Sequence, residues 1–145
     1  MSQPKPAMPT PPDQAALEQA LRDLFAPWVQ ALGLQVQSHS PGEVVLRLPN
    51  TEALSRVGGM LCGQAMMAAA DTAMVLALIT HFGQFRPCTT VQLSSSFLKP
   101  LAGQDALITA RVLRAGKSLA FGEIDLCGAH DGKSVCRVST TYALL

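Results

Sequence analysis

Between Arg56 and Arg86 the chain carries one formal charge, Asp71. It stands inside the apolar run GQAMMAAADTAMVLALIT at residues 63–80. A carboxylate placed in a core without partners is costly, or it stays protonated. A lone acid kept there is therefore a candidate general base or nucleophile. A carboxylate that satisfies a neighbouring loop or a subunit contact is the alternative. The other reactive side chains form no constellation. Cys62, Cys88, Cys127 and Cys136 include no C-x-x-C pair, so a zinc or redox motif is unsupported. His39, His81 and His130 lack metal-ligand spacing with any other ligand type. No metal and no cofactor is expected.

The elements that must position Asp71 are legible. Ala16, Leu17, Ala20, Leu21, Leu24, Phe25, Trp28, Val29 and Leu32 recur at three and four residues. That spacing predicts one amphipathic helix, with Asp13 as N-cap and Gly33 as stop, covering part of a larger core. The alternating stretches 34–40 and 43–48, joined by Pro41-Gly42, predict a β-hairpin. Residues 49–57 read as a polar connection, and Gly58-Gly59 as a sharp turn. The run at 63–80 predicts a helix apolar nearly all round. Carrying Asp71 and Gln64, it fits a buried core helix better than a membrane span. Strands are expected at 88–98, 105–115, 118–127 and 134–144, with a hairpin signal at Asp131-Gly132. An antiparallel sheet must then wrap the apolar helix, giving an α+β fold.

Composition bounds the rest. The 145 residues fit one domain, expected at 13–145, after a disordered proline-rich lead-in at 1–12. Only 14% of residues are charged and 48% are hydrophobic, so part of the surface is expected to be covered by further copies of the chain. The net charge of +1 gives no footprint for nucleic acid. No signal peptide is read at the N-terminus, and a cytoplasmic location is expected.

Gly59-Met60-Leu61-Cys62-Gly63-Gln64, followed by Asp71-Thr72-Ala73, resembles a motif of the form G-x-[V/L]-H-G-G and its Ala- and Leu-rich helix. This motif belongs to the phenylacetate-degradation-type (PaaI-like) branch of hotdog-fold acyl-CoA thioesterases. Thr90 to Pro100 is similar to that family's third strand, and Ile108 to Phe121 to its fourth and fifth. The resemblance covers most of residues 34–143. It departs at Cys62, where the family has histidine, at Gln64, where it has glycine, and at Arg56, in the slot of a frequent asparagine. These changes bear on rate and substrate class more than on fold.

The resemblance implies a hotdog fold, a sheet wrapped around one hydrophobic helix, and hydrolysis of an acyl-CoA thioester. Coenzyme A enters as part of the substrate. Gly63 would be the polarising amide. At a helix start its N–H has no intrahelical partner, and the helix dipole adds partial positive charge. Asp71 would attack or activate water, with Thr90 orienting that water or simply favouring its strand. Gly63 and Asp71 are eight residues apart, roughly 12 Å along a helix, too far to act on one carbonyl. One site would then take each from a different subunit, in a homodimer at least and a homotetramer as the fuller expectation. Substrate-binding candidates are Leu61, Cys62 and Gln64 near the helix start, and Arg114, Gly116, Lys117 and Ser118 for the coenzyme A phosphates. The alternative function is acyl-CoA binding with little turnover. A hotdog hydratase fits less well, because the position five after Asp71 is Leu76, not histidine. A hotdog transcription regulator would need a DNA-binding helix pair.

Overall fold

The structure, a computed structural model, describes residues 11–145. The expected disordered lead-in therefore lies outside the described residues, apart from Pro11 and Pro12. Two short helices come first, α1 (Gln14–Asp23) and α2 (Pro27–Gln30), then strands β1 (Gln35–Ser40) and β2 (Glu43–Leu48). A 3-10 turn at Glu52–Leu54 and the two-residue strands β3 (Ser55–Arg56) and β4 (Met60–Leu61) lead into α3 (Gly63–Phe82). Strands β5 (Cys88–Phe97), β6 (Ala106–Ala115), β7 (Leu119–Gly128) and β8 (Ser134–Leu144) follow.

The six long strands form one antiparallel sheet in the order β1-β2-β6-β7-β8-β5. It wraps α3, as expected. Alanine, methionine and leucine favour the helix intrinsically. Because α3 is apolar on nearly every face, only the sheet's concave side can cover it. Ala69, Ala70, Ala73, Met74, Leu76 and Ala77 are fully buried. Gly83, with φ +80°, ends the helix in the left-handed conformation and returns its N–H to the Ile79 carbonyl. Gly122 on β7 lets the helix come close: a Cβ there would run into Met74 and stand 3.0 Å from the Arg111 carbonyl.

One expectation is corrected. The single helix from Asp13 to Gly33 is two helices. Pro27 lacks an N–H and cannot continue α1, so the chain turns and restarts with proline as the first residue of α2. Leu17, Leu21 and Leu32 are buried, whereas Leu24 and Trp28 are exposed. The polar connection at 49–57 has structure of its own. It carries the 3-10 turn and β3, and Asn50 pins it to the β6 side through the Gln104 carbonyl and the Asp105 carboxylate.

Candidate active site

Asp71 is not enclosed in the core as its surroundings in sequence implied. It is half-buried on the flank of α3 and lines a cleft of about 260 Å³. Thr90 Oγ1 donates to Asp71 Oδ1 at 2.9 Å. The Tyr142 hydroxyl donates to the same Oδ1 and lies 2.9 Å from the Asp71 backbone carbonyl. No hydrogen bond reaches Oδ2 among the described residues. One carboxylate oxygen is thus held, and the other is left for chemistry.

Two strand details place these hydroxyls. A bulge in β5 between Thr90 and Gln92 shifts the alternation. Thr90 thereby faces α3 together with Leu93, Ser95 and Phe97, instead of sharing a face with Gln92 and Ser94. On β8 the inward positions are Val138, Thr140, Tyr142 and Leu144. Tyr142 is the cross-strand neighbour of Thr90. Burial first, then the Asp71 hydrogen bond and charge, push the Tyr142 phenol far above its ordinary value. It stays a proton donor. The Cys88 thiol in the same cleft is also pushed up, by burial and then by the Asp71 carboxylate.

Gly63 lies in a different cleft, of about 360 Å³, with Arg56, Leu61, Met66, Phe97 and Lys99. It is the first residue of α3, and Cys62 before it makes no side-chain cap. No hydrogen bond within the chain reaches the Gly63 N–H among the described residues, so this donor is available. The Phe97 ring packs over its Cα, 3.2 Å from where a Cβ would stand. Within one chain Gly63 and Asp71 therefore open onto separate clefts.

The other expected residues divide. Leu61 is buried beside Gly63. Cys62 is half-buried and its N–H donates to the Leu54 carbonyl, while Gln64 is exposed; neither lines that cleft. Gly116, Lys117 and Ser118 form the β6–β7 turn, Arg114 stands near the end of β6, and none of the four lines either cleft. Arg86 donates to the Lys117 carbonyl at 3.0 Å, and Leu144 N–H to the Ser118 carbonyl, which ties the turn to the start of β5 beside Cys88. Arg114 and Lys117 are exposed and in no ion pair among the described residues.

Sequence reasoning missed Tyr142 and the second wall of the Asp71 cleft, formed by Phe25, Trp28 and Val29. A signal existed for the tyrosine. It is the only one in the chain and falls on an inward position of an alternating strand. A buried phenol usually has a polar partner.

Comparison with known proteins adds a second line. The sequence pattern of the thioesterase superfamily matches residues 58–135. Human acyl-coenzyme A thioesterase 13 is 28% identical over 131 residues, which is 84% of this chain and 92% of that protein. A protein of Saccharolobus solfataricus named as an esterase is 32% identical over 114 residues, 79% of this chain and 80% of its own. Among solved structures, zebrafish thioesterase superfamily member 2 superposes with a TM-score of 0.80 at 27% identity, over 91% of this chain and 98% of that one. A Silicibacter protein described as a thioesterase superposes at 0.82 with 30% identity, over 92% of each.

Proposed function

The chain belongs to the thioesterase superfamily and is a thioester hydrolase, and from that premise we propose that it cleaves acyl-coenzyme A at a site built by two copies of itself. The name of the human relative supports the coenzyme A ester as substrate. The two-copy site rests on one observation about β5. Near its start Thr90 is bonded to Asp71, and at its end Phe97 lies against Gly63.

Strand β5 is an edge of the sheet. Its ten residues contain no charge and no proline, the usual devices that blunt an edge. Val91 and Phe97, and Leu98 beyond it, are about half exposed. A second copy adding its own β5, antiparallel and centred on Ser94, would cover them. Because the bulge leaves Val91 out of the pairing, that register sets Thr90 opposite the partner's Phe97. It carries Asp71 of one copy to the Gly63 cleft of the other, twice per dimer.

The thioester carbonyl oxygen then accepts from the Gly63 N–H, where the tetrahedral oxyanion develops. Asp71 Oδ2 takes a proton from water as the water oxygen bonds to the carbonyl carbon. Alternatively it attacks that carbon itself, and water hydrolyses the resulting anhydride. In either route the C–S bond breaks and the coenzyme A thiolate leaves and is protonated. Thr90 donates its hydrogen bond to Asp71, so its oxygen can accept a hydrogen bond from the incoming water. Leu61, which lines the Gly63 cleft, borders the thioester. Arg114, Gly116, Lys117 and Ser118 face the coenzyme phosphates.

Thiol release across acetyl-, phenylacetyl-, octanoyl- and palmitoyl-CoA tests this reading. Release from at least one supports it. Saturable binding without release from any would leave an acyl-CoA-binding protein.

A further inference from the structure

Two backbone carbonyls hold the chain just ahead of Gly63. Cys62 makes no side-chain cap at the start of α3. Its N–H donates to the Leu54 carbonyl at 2.9 Å, and the Leu61 N–H donates to the Leu101 carbonyl at 2.8 Å. Leu54 closes the 3-10 turn, and Ser55 pairs with Leu61 across β3 and β4. The direction of the Gly63 N–H is therefore inherited from segment 50–55 and not from a cap. That segment is moored at Asn50. The Asn50 N–H donates to Asp105 Oδ1 at 2.9 Å, and Asn50 Nδ2 donates to the Gln104 carbonyl at 3.0 Å. Ser55 Oγ stands 3.2 Å from Asn50 Oδ1 and 2.9 Å from the Thr51 carbonyl, both acceptors for its one proton. Arg47 Nε donates to the other Asp105 oxygen at 2.8 Å. The Asn50 N–H first, then Arg47, hold the Asp105 carboxyl below its ordinary value, so the acceptor stays ionised. Neither Asn50 nor Asp105 lines the Gly63 cleft.

We propose that Asn50 and Asp105 are positioning residues of the thioester site, fixing the segment that aims the Gly63 N–H at the carbonyl oxygen. This rests on the role given to Gly63 above. A donor lowers the barrier only if it already points to where the oxyanion will form. A displacement of about 1 Å, caused far from the chemistry, can cost on the order of a hundredfold in rate. The β3–β4 hairpin cannot supply that precision alone. Its strands have two residues each, and it turns through Gly58-Gly59, both at positive φ. The mooring at Asn50 is what ties it to the β6 side of the sheet.

An anchor that serves stability alone would act independently of the Gly63 amide, and a kinetic cycle separates the two roles. Asn50→Ala is expected to lower kcat about ten- to hundredfold, with KM changed less than about threefold. Asp105→Ala does the same. Asp105→Asn, which keeps an oxygen for the Asn50 N–H, recovers most of the loss. In a Gly63→Pro chain, where the amide proton is gone, Asn50→Ala or Asp105→Ala lowers the residual kcat by no more than about twofold. An undiminished effect of both variants in that background overturns the proposal. Amide hydrogen exchange reads the anchoring without turnover. In Asn50→Ala the Leu61 and Cys62 amides exchange about two- to tenfold faster, the worth of one lost hydrogen bond, while those of Ala73 and Ala77 keep their rates. Unchanged exchange at Leu61 and Cys62 also overturns the proposal. Faster exchange there, in a protein whose wild type hydrolyses no acyl-CoA, leaves the anchor standing and overturns the hydrolytic reading.

Discussion

Thr90 and Tyr142 are cross-strand partners on β5 and β8, and both donate a hydroxyl hydrogen bond to the same oxygen of Asp71. The sheet thus fixes the orientation of the one acid in the core helix. It does so from two adjacent strands, with Oδ2 left toward the cleft.

Removing either donor should loosen that orientation. A hydrogen bond to a charged group contributes about 1.5–3 kcal/mol. Tyr142→Phe and Thr90→Ala are each expected to lower kcat about ten- to hundredfold, with KM changed little. Asp71→Asn should cost about a hundred- to ten-thousandfold in kcat. Steady-state kinetics on one good acyl-CoA checks all three. A loss confined to KM would contradict the positioning role.

Gly63→Pro isolates the backbone donor. Proline is favoured at the first position of a helix, and Cys62 already has φ −72° and ψ 149°, the extended geometry proline demands of its predecessor. The half-exposed Phe97 ring can yield to the added carbons. The variant should fold with near wild-type stability and lose about a hundred- to thousandfold in kcat. Full activity in a folded Gly63→Pro protein would remove the amide from the mechanism.

Stability should fall at alkaline pH. The folded-state pKa of Tyr142 is raised, so the fold favours the neutral phenol. Its contribution is complete below the unfolded value near 10 and is lost as pH rises above it. Cys136, pushed up to about 11 by burial and then by Asp125, acts in the same sense from about 9 upward. Denaturant midpoints between pH 8 and 11 should decline, and Tyr142→Phe should flatten the decline above pH 10.

Gly122→Ala tests the contact of α3 with the sheet. The new methyl group meets the fully buried Met74 and the Arg111 carbonyl. Overpacking of this kind costs about 1–3 kcal/mol. Urea unfolding should show a lower midpoint at unchanged slope.

The sequence announced some of this and hid the rest for physical reasons. The apolar helix and the long strands are read off periodicity, because each buries a whole face. Asp71 stood out as a single charge among apolar residues. The Asp71–Thr90 pair depended on a bulge at Val91, which alternation alone does not reveal. Tyr142 looked like one more strand residue until its neighbours were known. Pro27 was in plain view, yet the three-four spacing on either side of it read as continuous. The strands β3 and β4, two residues each, are too short to carry a pattern. That Gly63 and Asp71 open onto separate clefts agrees with their spacing along one helix.

The central claim is that each site joins Asp71 of one copy to Gly63 of another. Co-expression of Asp71→Asn and Gly63→Pro chains with different tags yields mixed dimers that can be purified by both tags. In such a dimer one site carries both changes and the other carries neither. Each variant alone should be nearly inactive, and the purified mixed dimer should recover about half of wild-type activity. A mixed dimer no more active than its parents would contradict the shared site.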